Sequence, residues 1–143
     1  MRDRVPLAPR KFFYRVGRRG VFLLFLSLLD IVYASGLAFP TETAKNGDAL
    51  LFLANILPLD IWALLWFITG VICFIFAFKA RDAPGFAVAM FIKVLWALVF
   101  LLGWMFAGVE RGYLSTAIWG AFAAVLWLIS TWPEPTKIRE DVL

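Results

Sequence analysis

The chain has no histidine and a single cysteine, Cys73. One thiol cannot build a disulfide framework, and without imidazole the common zinc and haem ligand sets and any His-based catalytic triad fall away. Charge is scarce as well. Asp, Glu, Lys and Arg make up only 17% of the 143 residues. A soluble domain carries about 25%. Four long apolar segments take up well over half the chain, which leaves no room for a separate soluble domain.

What the chain has in excess is apolar and aromatic. It is 63% hydrophobic with a mean hydropathy of +0.86, and it carries 15 Phe and 7 Trp. A bilayer core about 30 Å thick needs roughly 20 apolar residues per helix. Segments at about 20–39, 59–78, 85–109 and 113–132 meet that length. Ser27, Asp30 and Ser35 interrupt the first, and Lys93 the third. The expected fold is an all-α integral membrane protein, a four-helix transmembrane bundle whose short loops make successive helices antiparallel. Residues 1–19 read as a basic cytoplasmic segment, 20–132 as the membrane domain and 133–143 as a charged cytoplasmic tail.

Cations orient the bundle, because short loops rich in Lys and Arg stay on the cytoplasmic side. With the N-terminus inside, eleven cations fall on inner segments, and only Lys45 and Arg111 fall outside. The chain is therefore expected N-in and C-in, as a multi-pass protein of a bacterial inner membrane. Trp62, Trp66, Trp104, Tyr113, Trp127 and Trp132 fall near predicted span ends and read as an interfacial aromatic belt. Arg10, Lys11, Arg15, Arg18 and Arg19 alternate with aromatics before the first span. Anionic headgroups are the nearest partner for such cations, each worth about 1 kcal/mol, and no nucleic-acid role is assigned. Arg18-Arg19-Gly20-Val21-Phe22 fits a twin-arginine export pattern, but Asp30 breaks the apolar region and three more spans follow, so an uncleaved signal-anchor is expected.

The first outer loop, about 40–58, is the only extramembrane stretch with content. Asn46-Gly47 reads as a turn and Asp48 as a cap for a short helix over 49–56. That helix is too apolar to float in water and too short to span, so it lies along the interface or tucks back into the bundle.

Asp30 is the costliest residue in the chain, since a charge near the midplane costs about 2.5–3.5 kcal/mol on insertion scales. Lys93, about 10–12 Å deep in the third span at 1.5 Å per residue, has a stem long enough to reach it. A register-fixing ion pair, an ion or proton pathway and pairing across subunits are all open from sequence. Cys73 sits mid-span among Val, Ile and Phe and reads as a small buried hydrophobe. Asp60 and Glu110 lie at outer helix ends, where they need no catalytic role. No cofactor, metal site or enzymatic chemistry is expected. Small residues at helical spacing, above all Ala117, Gly120, Ala121 and Ala124 in the fourth span, suit close helix packing with a second copy or another membrane protein.

The stretch Gly17-Arg18-Arg19-Gly20-Val21-Phe22-Leu23-Leu24, followed by Leu29-Asp30-Ile31-Val32-Tyr33 and by the Trp132-Pro133-Glu134-Pro135 exit, resembles small four-span membrane proteins of actinobacterial phages. The resemblance implies a holin-like protein that oligomerises and permeabilises the inner membrane. The alternative is a non-catalytic accessory subunit or superinfection-exclusion factor acting through helix contacts. A third reading is a small ion or solute transporter using Asp30 and Lys93.

Overall fold

A computed structural model describes residues 7–133, with side chains from residue 16 onward. Every regular element among them is helical: α1 (Leu7–Ala38), α2 (Glu42–Lys45), α3 (Asp48–Ile56), α4 (Leu59–Ala77), α5 (Ala83–Phe106) and α6 (Gly112–Ser130). Four stretches are long and apolar enough to cross a membrane: Val16–Ala38, Leu59–Ala77, Ala83–Phe106 and Gly112–Ser130. The shortest, at 19 residues, reaches about 28 Å at 1.5 Å per residue, close to the thickness of a hydrocarbon core.

The boundaries follow local chemistry and shift several expectations. α1 begins well before residue 20 but is broken at Gly17, whose φ of 71° lies in the left-handed region that only glycine enters freely. α5 starts at Ala83 with Pro84 in its first turn, where the missing N–H costs nothing. It ends at Phe106 rather than near residue 109. Gly108, at φ 66°, turns the chain back so that the Val109 N–H donates to the Gly103 carbonyl at 3.1 Å. Gly47, not Asp48, is the N-cap of α3, and Asp48 occupies its first turn. α2 is a single turn capped by Thr41, whose Oγ1 accepts from the Ala44 N–H at 3.2 Å.

The long helices pack α1 on α4, α4 on α5 and α5 on α6. Close approach is made where side chains are absent. A Cβ on Gly20 would sit 2.4 Å from the Ala77 carbonyl oxygen, and one on Gly70 would meet Ile31 at 2.9 Å. Between lipid-immersed helices the gain comes from such van der Waals fit rather than from expelling water. Two apolar clusters result. One, around Leu23, Leu26, Cys73, Phe86 and Leu126, fills the end where α1 enters and α6 leaves. The other, around Leu53, Trp62, Trp66, Trp96, Phe100 and Trp119, fills the end capped by α3. The short helix α3 tucks back: Leu53 is buried, its carbonyl accepts from Trp62 Nε1 at 3.0 Å, and the Phe52 ring lies over Gly103. Outward faces carry Phe25, Leu28, Phe74, Phe91, Leu98 and Leu102, an apolar exterior suited to lipid.

Candidate functional site

Asp30 on α1 and Lys93 on α5 sit between the two apolar clusters, each with no solvent exposure. Their spans run in the same direction, so a side chain on one meets its counterpart on the other at a fixed offset. Lys93 Nζ donates to Asp30 Oδ1. The same ammonium lies 4.5 Å from the centre of the Trp66 ring, over its negative face. Gly70 is what lets α4 come this close, since its missing Cβ would stand 3.4 Å from Asp30 Cβ and 3.1 Å from the Ser27 carbonyl.

One turn toward the α3 end, Tyr33 and Trp96 repeat the pairing. Trp96 Nε1 donates to Tyr33 Oη at 3.0 Å. The Tyr33 ring packs 4.4 Å from Trp66 and 5.1 Å from Trp119, while Trp62 meets Trp96 edge-on at 5.2 Å. Edge and tilted contacts of this kind add about 0.5–1.5 kcal/mol each beyond burial. The charge pair is thus roofed by aromatic rings. Among the described residues, Asp30 Oδ2 and Trp66 Nε1 are buried without a hydrogen-bond partner. Each such atom costs on the order of 1–3 kcal/mol.

Chemically, the arrangement holds one positive and one negative charge in mutual compensation. Cys73 is buried, with Sγ 3.8 Å from the Gly85 carbonyl. Among the described residues no three His, Cys, Asp or Glu side chains gather as a metal site needs. Asp60 and Glu110 are exposed at their helix ends.

Several residues singled out by sequence stand elsewhere than expected. Trp62 and Trp66 are not part of a peripheral belt: they are 3% and 0% exposed and line the core around Lys93. A ring that can cover a buried cation gains more there than at a headgroup level. Trp104, Tyr113, Trp127 and Trp132 are about half exposed, and Trp104 faces Tyr113 at 5.8 Å beside the α5–α6 turn. Arg19 does not reach outward to headgroups. Its guanidinium pairs with Asp82 at 2.7 Å, donates to the Trp132 carbonyl at 3.4 Å and lies 5.1 Å from the Phe86 ring centre. A planar fork that meets a carboxylate, a backbone carbonyl just beyond α6 and a ring together is better used inside. Arg18 is exposed, and the side chains of Arg10, Lys11 and Arg15 lie outside the described residues. Ala117, Ala121 and Ala124 are exposed and Gly120 is half-buried with open space beside it. α6 packs inward through Gly112, Trp119, Ala123 and Leu126 instead.

Sequence reasoning missed Tyr33, Trp96, Trp119 and Gly70. The signal was there for the first two: Tyr33 follows Asp30, and Trp96 follows Lys93, by one helical turn on the same face. No family model, no curated protein and no solved structure matches the chain.

Proposed function

We propose that this protein is a non-catalytic integral membrane protein of the bacterial inner membrane, with both ends cytoplasmic, that acts through helix contacts with a second copy or with another membrane protein. The observation that carries this reading is the direction in which the spans turn their residues. Asp30, Lys93, Ser27 and Thr69 face inward, whereas Ala117, Ala121 and Ala124 of α6 face out. A thin outward face lets another helix approach closely, which is how helices associate in lipid. The orientation is supported by Arg18, Arg19, Lys79 and Arg81 at the end where α1 begins and α4 turns into α5, against Lys45 and Arg111 at the other.

The test is thiol cross-linking in membranes, with Ala121→Cys in a Cys73→Ala background and lipid-facing Phe74→Cys as the control. Cross-linking at position 121 and not at 74 supports the reading; equal or absent cross-linking removes it.

A holin-like permeabiliser is the second reading, and the same α6 face supports the oligomerisation it requires. It also requires a polar lumen, and the outward faces hold Phe25, Phe74, Phe91 and Leu98. That places it after the accessory role. Induced expression with membrane potential and culture density followed together separates the two. An abrupt, timed collapse advanced by an energy poison selects the holin, and steady growth at intact potential excludes it. A transporter using Asp30 and Lys93 has less support, because each already holds the other and neither is exposed.

A further inference from the structure

We propose that Asn46 is a site of spontaneous deamidation, and that the single turn α2 gates it by holding both reacting groups until the turn opens. Asn46 and Asn55 are the two side-chain amides of the chain, which has no glutamine. Asn46 is exposed, precedes Gly47, and joins α2 to α3.

The reaction needs no partner but water. The Gly47 nitrogen loses its proton and attacks the side-chain carbonyl carbon of Asn46. A C–N bond forms there, the bond to Nδ2 breaks, and Nδ2 leaves as ammonia. A five-membered succinimide remains. Water adding at its side-chain carbonyl opens the ring to aspartate, and water adding at its backbone carbonyl opens it to isoaspartate. Both products carry a carboxylate where the amide stood. Glycine suits the attacking position, because it has no Cβ to obstruct the approach of its own nitrogen.

The closed turn opposes this step at both atoms. Asn46 Nδ2 donates to the Glu42 carbonyl at 3.0 Å, and the Gly47 N–H donates to the Ala44 carbonyl at 3.0 Å. Leaving group and nucleophile are thus both tied to α2. At the Asn46 ψ of 0° the Gly47 nitrogen eclipses the Asn46 nitrogen, whereas ring closure needs it over Cβ. Turning ψ to that position breaks the Gly47 hydrogen bond.

α2 opens readily. It is four residues long with none buried, capped by Thr41 Oγ1 at 3.2 Å and braced by the solvated Lys45–Glu42 pair. Segments with few buried contacts and solvent-exposed hydrogen bonds open at low free energy. Asn55 is exposed too, so exposure alone does not select the site. It lies inside α3 ahead of Ile56, whose β-branched side chain crowds the attacking nitrogen.

The test incubates full-length wild type, Thr41→Ala, Asn46→Asp and Gly20→Ala in detergent at mildly alkaline pH, below their melting temperatures. Intact mass spectrometry follows the amide-to-acid mass gain, fragmentation locates it, and an isoaspartyl methyltransferase labels isoaspartate. Wild type is expected to gain one acid, at residue 46, and Asn46→Asp to gain none. Thr41→Ala removes the α2 cap and is expected to react about fivefold faster, the equivalent of a cap worth about 1 kcal/mol. Gly20→Ala loosens the packing of α1 on α4, remote in sequence from α2, and is expected to react at the wild-type rate. Absence of the gain at residue 46 in wild type, or an equal rate at Asn55, overturns the site. A rate in Thr41→Ala no faster than wild type overturns the gate. Acceleration in Gly20→Ala equal to that in Thr41→Ala also overturns it and assigns the opening to the whole fold.

Discussion

Lys93 of α5 donates to Asp30 of α1 across 63 residues of sequence, and the same spacing separates Tyr33 from Trp96 and Arg19 from Asp82. A constant offset means that α1 and α5 run in parallel at a single register. Arg19, Asp30 and Tyr33 stand eleven and three residues apart, near-whole numbers of turns, so all three project from one stripe of α1. The three pairs form a ladder about 20 Å long at 1.5 Å per residue. Few backbone atoms of α1 and α5 approach each other, so long side chains do the bridging.

Lys93→Leu strands a buried carboxylate, and a broken buried pair costs about 3–5 kcal/mol. Asp30→Asn combined with Lys93→Leu removes both charges and is expected to recover most of that loss. Thermal unfolding in detergent, followed by tryptophan fluorescence, reads the difference. Equal stability of the single and double variants would mean that the pair fixes nothing.

Tyr33→Phe takes away the acceptor for Trp96 Nε1 and leaves a buried N–H unpaired. The expected cost is about 1–3 kcal/mol, the penalty for an orphaned donor. Trp96→Phe costs ring area as well. In a double-mutant cycle the two are expected to couple by about 1 kcal/mol, because they share one hydrogen bond. Additivity would show that the hydroxyl and the indole act separately.

Glycine packing gives a contrast within one protein. Gly20→Ala places a Cβ against the Ala77 carbonyl, a backbone atom with no freedom to swing aside. Separating α1 from α4 there is expected to cost about 1–3 kcal/mol, as overpacking does. Gly120→Ala meets nothing and is expected to gain about 0.5–1 kcal/mol in detergent from helix propensity. A destabilised Gly120→Ala would show that the partner helix proposed for this α6 face stays bound in detergent.

How much of this was legible in the sequence depends on the range of the cause. Four apolar stretches could be read because the length of a span is set by the bilayer and by nothing distant. Asp30 and Lys93 could be singled out because a midspan charge demands compensation wherever its partner lies. The aromatic roof could not, because a tryptophan near a span end satisfies a headgroup as well as a core. Only the third helix around Trp62 and Trp66 decides which. Gly17 and Gly108 were equally hidden, since a positive φ depends on where the chain must go next. Arg19 looked like its neighbour Arg18 until Asp82, brought back by the α4–α5 turn, stood beside it.

Outside the spans, Glu42 is held below the usual carboxylate range by the hydrogen bond from Lys45, at 2.8 Å, and by its charge. A depressed folded value gives stability that is present above the unfolded value and lost as pH falls through the folded one. Both side chains are solvated, so the effect is small and screened by salt. Lys45→Ala is expected to return the Glu42 titration, followed by carboxyl NMR, toward an ordinary value without moving the melting temperature. A large drop in melting would show that α2 braces the α3 cap.

The inner rung of the ladder is the one most sensitive to shape. Arg19, just past the Gly17 break in α1, reaches Asp82 between α4 and α5 and the Trp132 carbonyl just beyond α6, so it ties three parts of the chain together at one end. Lysine keeps the charge but offers no planar fork, so it cannot hold a carboxylate and a carbonyl in the same plane while lying over Phe86. Arg19→Lys is therefore expected to recover only a minor part of what Arg19→Gln loses. That loss is put at about 1–2 kcal/mol, since the guanidinium is partly solvated. Arg18→Gln, one residue away and exposed, is expected to be neutral within about 0.5 kcal/mol. Denaturation in mixed micelles compares the three variants directly. If Arg19→Lys matched the native protein, charge alone would suffice at this rung, and the fork geometry would carry no weight in holding the helix ends together.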